Sequence, residues 1–127
     1  MTREEIRSSD APAPGGAYAQ AVVANGFLYT AGTGPHDPGT GEVVGDTIAE
    51  QTQQVLRNLS ALLAVRGLTF ADVVKVTAHL ADLHRDYAAY NAVYERTLPR
   101  PYPVRTTVGS TLDHKLVEID MVAVLRP

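Results

Sequence analysis

Two short segments near the C-terminus carry polar residues where a buried strand would carry apolar ones. In Pro103-Val104-Arg105-Thr106-Thr107-Val108, a period of two sets Arg105 and Thr107 on one face and Val104, Thr106 and Val108 on the other. In Val117-Glu118-Ile119-Asp120-Met121, Glu118 and Asp120 share a face opposite Val117, Ile119 and Met121. An arginine and a carboxylate on neighbouring strands have two readings. One is a cross-strand ion pair, worth at most about 1 kcal/mol. The other is a guanidinium that grips a substrate carboxylate through two parallel hydrogen bonds, beside a carboxylate that handles a proton. Spacing alone leaves both open.

Other chemistries find less support. His36, His79, His84 and His114 form no H-x-x-x-H or H-E-x-x-H pair, so no metal site is expected. No G-x-S-x-G elbow suggests a nucleophilic serine. Gly32-x-Gly34 lacks the third glycine and the helix start that a phosphate cradle needs. The chain has no cysteine, which excludes disulfides, thiolate catalysis and cysteine-bound zinc. That absence fits a reducing cytoplasm, where the protein is expected. A net charge of -3 lacks the basic footprint of a phosphate-tracking protein, so nucleic acid is not the expected partner. No run of about 18 apolar residues is long enough to span a membrane. The charged start, Thr2-Arg3-Glu4-Glu5, is not followed by the apolar stretch of a signal peptide.

The elements that must position Arg105 and Glu118 follow from pattern. A length of 127 residues, 45% of them hydrophobic and 20% charged, suits one soluble domain spanning 1–127 with a core of its own. Residues 8–18 are rich in Pro, Gly and small residues and read as loop. Ala19–Ala24 and Phe27–Ala31 flank Asn25-Gly26, a strong hairpin signal because both central positions tolerate positive φ. A second loop runs from Gly32 to Gly45.

From Thr47 the period becomes helical, with Ile48, Thr52, Val55, Leu59, Leu62 and Leu63 on one face. Gln51, Gln53, Gln54, Arg57 and Asn58 fall mostly on the other. Thr47 with Glu50 forms a capping box, and Gly67 stops the helix. Val73–Leu80 alternates as a half-buried strand. A second helix carries Leu83, Tyr87, Tyr90, Tyr94 and Leu98 along one stripe until Pro99, and the tyrosines read as core or interface. Strands at Val104–Val108 and Leu116–Leu125 close the order ββ-α-β-α-ββ, with room for a short strand at Glu4–Arg7. The expected fold is α+β, a two-layer sandwich of a mixed sheet and two helices. Its second sheet face is expected to be apolar and to meet another subunit.

Seven blocks, in order, cover nearly the whole chain and resemble the Rid (reactive intermediate deaminase, YjgF-type) family. They are Gly16-Ala17-Tyr18-Ala19-Gln20, Ala31-Gly32, Asp37-Pro38-Gly39-Thr40-Gly41-Glu42, Asp72-Val73-Val74-Lys75-Val76-Thr77, Tyr90-Asn91-Ala92-Val93-Tyr94, Tyr102-Pro103-Val104-Arg105-Thr106 and Val117-Glu118-Ile119-Asp120-Met121-Val122-Ala123. The resemblance implies a chorismate-mutase-like α+β fold and a homotrimer with sheets inward and active sites between subunits. It further implies hydrolysis of 2-imino and 2-enamino acids to 2-keto acid and ammonia, with no cofactor and no metal. Arg105 matches the family's carboxylate-binding arginine, and Glu118 its water-positioning glutamate. Tyr18 matches a ligand-facing tyrosine. Gly32 would allow close approach of the substrate to backbone, Asn91 matches a helix asparagine, and the Thr107 main chain would offer further hydrogen bonds. For Asn91, a bond to a nearby loop is as good a reading as direct contact.

The chain also departs from the family pattern. Ala31-Gly32-Thr33 stands for Ser-Gly-Gln, Thr107 for a frequent Cys, and Gly16-Ala17-Tyr18 for Gly-Pro-Tyr. These changes alter the pocket walls and leave the Arg/Glu pair intact. Two alternatives accompany the deaminase reading: a non-catalytic trimer that binds small molecules such as 2-keto acids, and a ribonuclease or translation inhibitor.

Overall fold

In the computed structural model, which describes residues 2–127, each local signal becomes an element of a two-layer α+β sandwich. The strands are β1 (Glu4–Ile6), β2 (Ala21–Ala24), β3 (Phe27–Thr30), β4 (Val73–Leu80), β5 (Val104–Gly109) and β6 (Val117–Val124), and the helices are α1 (Ile48–Ala64) and α2 (Leu83–Thr97). Asn25 and Gly26 adopt φ of 53° and 88°, the left-handed pair that a two-residue hairpin requires between β2 and β3. Thr47 and Glu50 cap α1 reciprocally. At its other end Gly67, at φ 70°, lets its own N–H reach Ala64 O and the Leu68 N–H reach Leu63 O.

The sheet order is β1-β2-β3-β6-β4-β5. Only β4 and β5 run parallel, joined by α2 as the crossover that a parallel pair needs. Strand β4 therefore lies between the arginine strand and the carboxylate strand, which are not neighbours as their pattern had suggested. Burial explains the order. Strands β4 and β6 each carry four buried residues and take the centre, whereas every residue of β5 keeps some exposure and suits an edge.

Register then decides which face each side chain occupies. Arg105 pairs with Val76, and Val76 with Met121, so Arg105 lies on the helix-covered face. Glu118 pairs with His79, one of the residues of opposite parity, and lies on the other. The helix face holds the core, where Leu28, Val76, Ala78 and Ile119 meet Val55, Leu59 and Leu63 of α1 and Tyr90 and Val93 of α2. The second face is not simply aliphatic. Lys75, Thr77, His79, Glu118 and Asp120 form its polar middle, and exposed Tyr29, Val104, Val108 and Val124 flank them.

Much of the polar face of α1 is buried: Gln51, Gln54 and Asn58 are only 5%, 5% and 0% exposed. The loop between β3 and α1 folds over them and consumes their hydrogen-bonding groups. Asn58 Nδ2 donates to Gly34 O at 3.0 Å and to His36 O at 2.9 Å, and its Oδ1 accepts from Gln54 Nε2. Gln51 ties the same loop to the one before β6, donating to Gly45 O and accepting from the Leu116 N–H. A stripe of amides thus ties the loops around β3 and β6 to the helix. Replacing Asn58 by Ala leaves two loop carbonyls and the Gln54 amide unpaired, and we expect a loss of about 2–3 kcal/mol in chemical denaturation.

Candidate functional site

Arg105 rests on the exposed end of a tyrosine stripe. Tyr87, Tyr90, Asn91 and Tyr94 recur at helical spacing on α2, so their side chains converge on one face. The Arg105 guanidinium carbon lies 4.6 Å from the Tyr94 ring centroid, 5.6 Å from that of Tyr90 and 5.8 Å from that of Tyr87. Nη1 donates to Asn91 Oδ1 and Nη2 to the Tyr87 hydroxyl, both at 2.8 Å. The cation is thus oriented by aromatic faces and two fixed acceptors. Burial raises the phenol of Tyr94 to about 12, so the ring nearest the guanidinium stays neutral through the physiological range. No carboxylate pairs with Arg105 among the described residues, which removes the simple ion-pair reading. A guanidinium offers five N–H donors and Arg105 uses two, so it retains donors for an anion. Beside it opens a hollow of about 380 Å³ lined by Asn91, Tyr94, Glu95, Tyr102, Pro103 and Arg105.

Glu118 belongs to a second and larger cleft of about 670 Å³, to which Tyr18, Gly32, Gly34, His36 and Lys115 contribute. Thr33 continues the pairing of β3 with β6 by exchanging backbone hydrogen bonds with Ile119, at 2.8 and 3.1 Å. That bridge fixes the loop directly against Glu118. A Cβ on Gly32 would come within 2.6 Å of Glu118 Oε2, so the glycine makes room for this carboxylate. Lys115 Nζ stands 3.2 Å from Glu118 Oε1. Tyr18 is 53% exposed at the rim, and its hydroxyl accepts the Gly15 N–H. His36 is held below the ordinary imidazole range by burial, and by Lys115 and His114 nearby. Farther along β6, burial raises the Asp120 carboxyl.

The sequence-predicted residues thus fall into two groups. Tyr18, Gly32 and Glu118 share one cleft; Arg105 and Asn91 share the other hollow. Within one chain the two groups lie on opposite faces of the sheet, and Arg105 does not stand beside Glu118. Asn91 holds the arginine, rather than the nearby loop that was the alternative for it. Thr107 lies on the helix-covered face with its hydroxyl buried and without a partner. The tyrosines, expected as core or interface, are also the floor under Arg105. Lys115, which belongs to no motif in the sequence, also joins the Glu118 cleft; its place three residues before Glu118 is the one sequence signal that ties it there.

The comparisons with known proteins match this architecture. The family model described as Endoribonuclease L-PSP covers residues 8–125. The chain belongs to that family, the Rid proteins. Its similar relatives include a RutC family protein of Pyrococcus horikoshii, 42% identical over 95% of this chain and 97% of the relative. A rat protein named 2-iminobutanoate/2-iminopropanoate deaminase is 35% identical over 100% of this chain and 93% of its own. Among solved structures, RidA from an Antarctic Psychrobacter superposes with a TM-score of 0.90 at 34% identity, covering 96% of this chain and 99% of that one. TdcF of E. coli, solved with bound serine, gives 0.88 at 31% identity, covering 97% and 99%. The Rid fold is shared throughout, and no helix among the described residues is long and apolar enough to cross a membrane.

The depressed His36 predicts a pH effect on this Rid domain. The unfolded chain binds a proton at His36 near pH 6.5, before the folded one does, so stability contributed by the neutral ring falls as pH drops below about 6.5. Melting curves at pH 7.5 and pH 5 should show a smaller acid loss for His36→Gln than for the parent chain.

Proposed function

We propose that the chain is a hydrolytic deaminase of 2-imino and 2-enamino acids, acting at a site completed between two copies in a homotrimer. The observation that carries this reading is the geometry of Arg105: an oriented cation with unused donors, free of any carboxylate of its own chain. A planar guanidinium of this kind suits bidentate capture of a small carboxylate. The relatives named as imine deaminases and the serine bound in TdcF support a substrate of amino-acid shape.

Within one chain the sheet separates Arg105 from Glu118, so one small substrate cannot touch both. Strand β5 is an edge, which brings Arg105 to the boundary of the chain. Exposed Val104, Val108, Tyr29 and Val124 on the other sheet face offer apolar surface for a neighbouring copy to cover. A trimer that sets the Arg105 edge of one copy against the Glu118 cleft of the next completes three equal sites.

The chemistry asks little more of the protein. Arg105 fixes the carboxylate and thereby orients the imine carbon, which is already electrophilic. Glu118 accepts a proton from a water as it attacks that carbon, giving a carbinolamine. Glu118 passes protons to the nitrogen, the last of them taken from the carbinolamine hydroxyl; as the C=O bond forms the C–N bond breaks, and ammonia leaves with a 2-keto acid behind. No cofactor enters this sequence. Gly32 admits the Glu118 carboxylate, Tyr18 walls the entrance, and Asn91 keeps Arg105 in place. The acidic net charge argues against RNA as the substrate.

Imines generated in situ by an amino-acid oxidase test the proposal through the rate of keto-acid formation. Arg105→Ala and Glu118→Gln should each lower kcat/KM by a factor on the order of 100 or more. Keto-acid binding in a thermal-shift titration without turnover would favour the binding-protein alternative. Refolding the two inactive variants together should restore activity at about one site in four, because a shared site can draw Arg105 and Glu118 from different copies. No restoration from assembled mixed trimers would place the site within one chain.

A further inference from the structure

The extended Gly32-Thr33-Gly34 segment has a use other than the phosphate cradle it fails to be. Each glycine vacates the space of one or more ionisable side chains. Gly32 admits the Glu118 carboxylate. A Cβ on Gly34 would come within 2.7 Å of His36 Cε1 and 3.1 Å of Lys115 Cδ, so this second glycine admits the imidazole and the lysine stem together. The Thr33 bridge to Ile119 holds both glycines in register with β6.

We infer that Lys115 is a positioning residue for the reaction: its ammonium holds one oxygen of Glu118 and leaves the other to orient the attacking water. The inference rests on the deaminase reading of the site. Lys115 is well placed for such a role. Its side chain keeps only 17% of its exposure and that of Glu118 29%, so the 3.2 Å pair is partly withdrawn from solvent and its lysine less free to wander than a surface one. Glu118 Oε1 faces Lys115, while Oε2 lies over Gly32 at the cleft wall. A carboxylate without that contact keeps its place in the chain but gains freedom about its side-chain bonds, and a misaligned base costs rate rather than affinity. The substrate carboxylate is held elsewhere, by Arg105, so ground-state binding does not depend on the pair.

This separation of roles sets the test. In the assembled protein, with an imine made in situ, Lys115→Met should lower kcat relative to wild type by a factor on the order of 10 to 100, with KM changed less than about twofold. Lys115→Arg, which restores a cation over Glu118, should recover most of the rate. Melting temperatures of both variants should stay near the parent value, since the pair lies at the cleft and outside the core. A KM that rises with kcat preserved would make Lys115 a substrate contact and overturn the inference, as would a Lys115→Met enzyme of full activity or an arginine variant as slow as the methionine one. A wild-type protein inert toward imines overturns the deaminase reading itself, a failure seen before any Lys115 variant is made.

Discussion

A β-strand sends successive side chains to opposite faces, and that alternation governs everything about where this protein can do chemistry. Arg105 shares a face with Val76 and Met121, beneath the helices; Glu118 shares the opposite face with His79. No rotamer brings them together through a packed sheet. A site that uses both must therefore be assembled from more than one copy. The edge position of β5 and the uncovered apolar residues of the second face are the features that make such an assembly reasonable.

Arg105 and Glu118 are each held in place by a different part of the fold. The arginine half rests on a helix: a stripe of tyrosines and one asparagine, repeating with the turn of α2, gives the guanidinium a flat bed and two acceptors. The glutamate half rests on a loop, and loops need external support. That support comes from amides buried on α1, above all Asn58, and from the Thr33–Ile119 bridge. Buried polar groups that are fully paired specify one arrangement where apolar ones would allow several. The polar stripe of α1 thus serves the cleft as much as the fold.

Membership of the Rid family sets the fold and a family of reactions, and the departures of this chain fall around the site rather than in the Arg/Glu pair. Ala31 beside Gly32 removes a hydroxyl from the cleft side. Thr107 has its hydroxyl buried on the helix side, away from the Glu118 cleft. Under the proposed deaminase reading, such changes bear on which imine is preferred more than on the bond that is broken.

Local rules were legible in the residues themselves: the Asn25-Gly26 hairpin, the capped α1 and its terminal glycine, the strand alternation, the identity of Arg105 and Glu118 as odd polar residues. Short-range sterics and hydrogen bonding decide these, and they are written within a few neighbouring positions. The strand order was not legible, because insertion of β4 between β5 and β6 depends on how much apolar surface each strand can bury in competition with the others. Nor was the burial of Gln51, Gln54 and Asn58, since an amide at the helix surface turns inward only when a distant loop arrives to pair with it. The sequence by itself determined which groups could bind a carboxylate and move a proton. Only the tertiary structure decided that they face away from each other, because register across a sheet is a property of paired strands and of no single one.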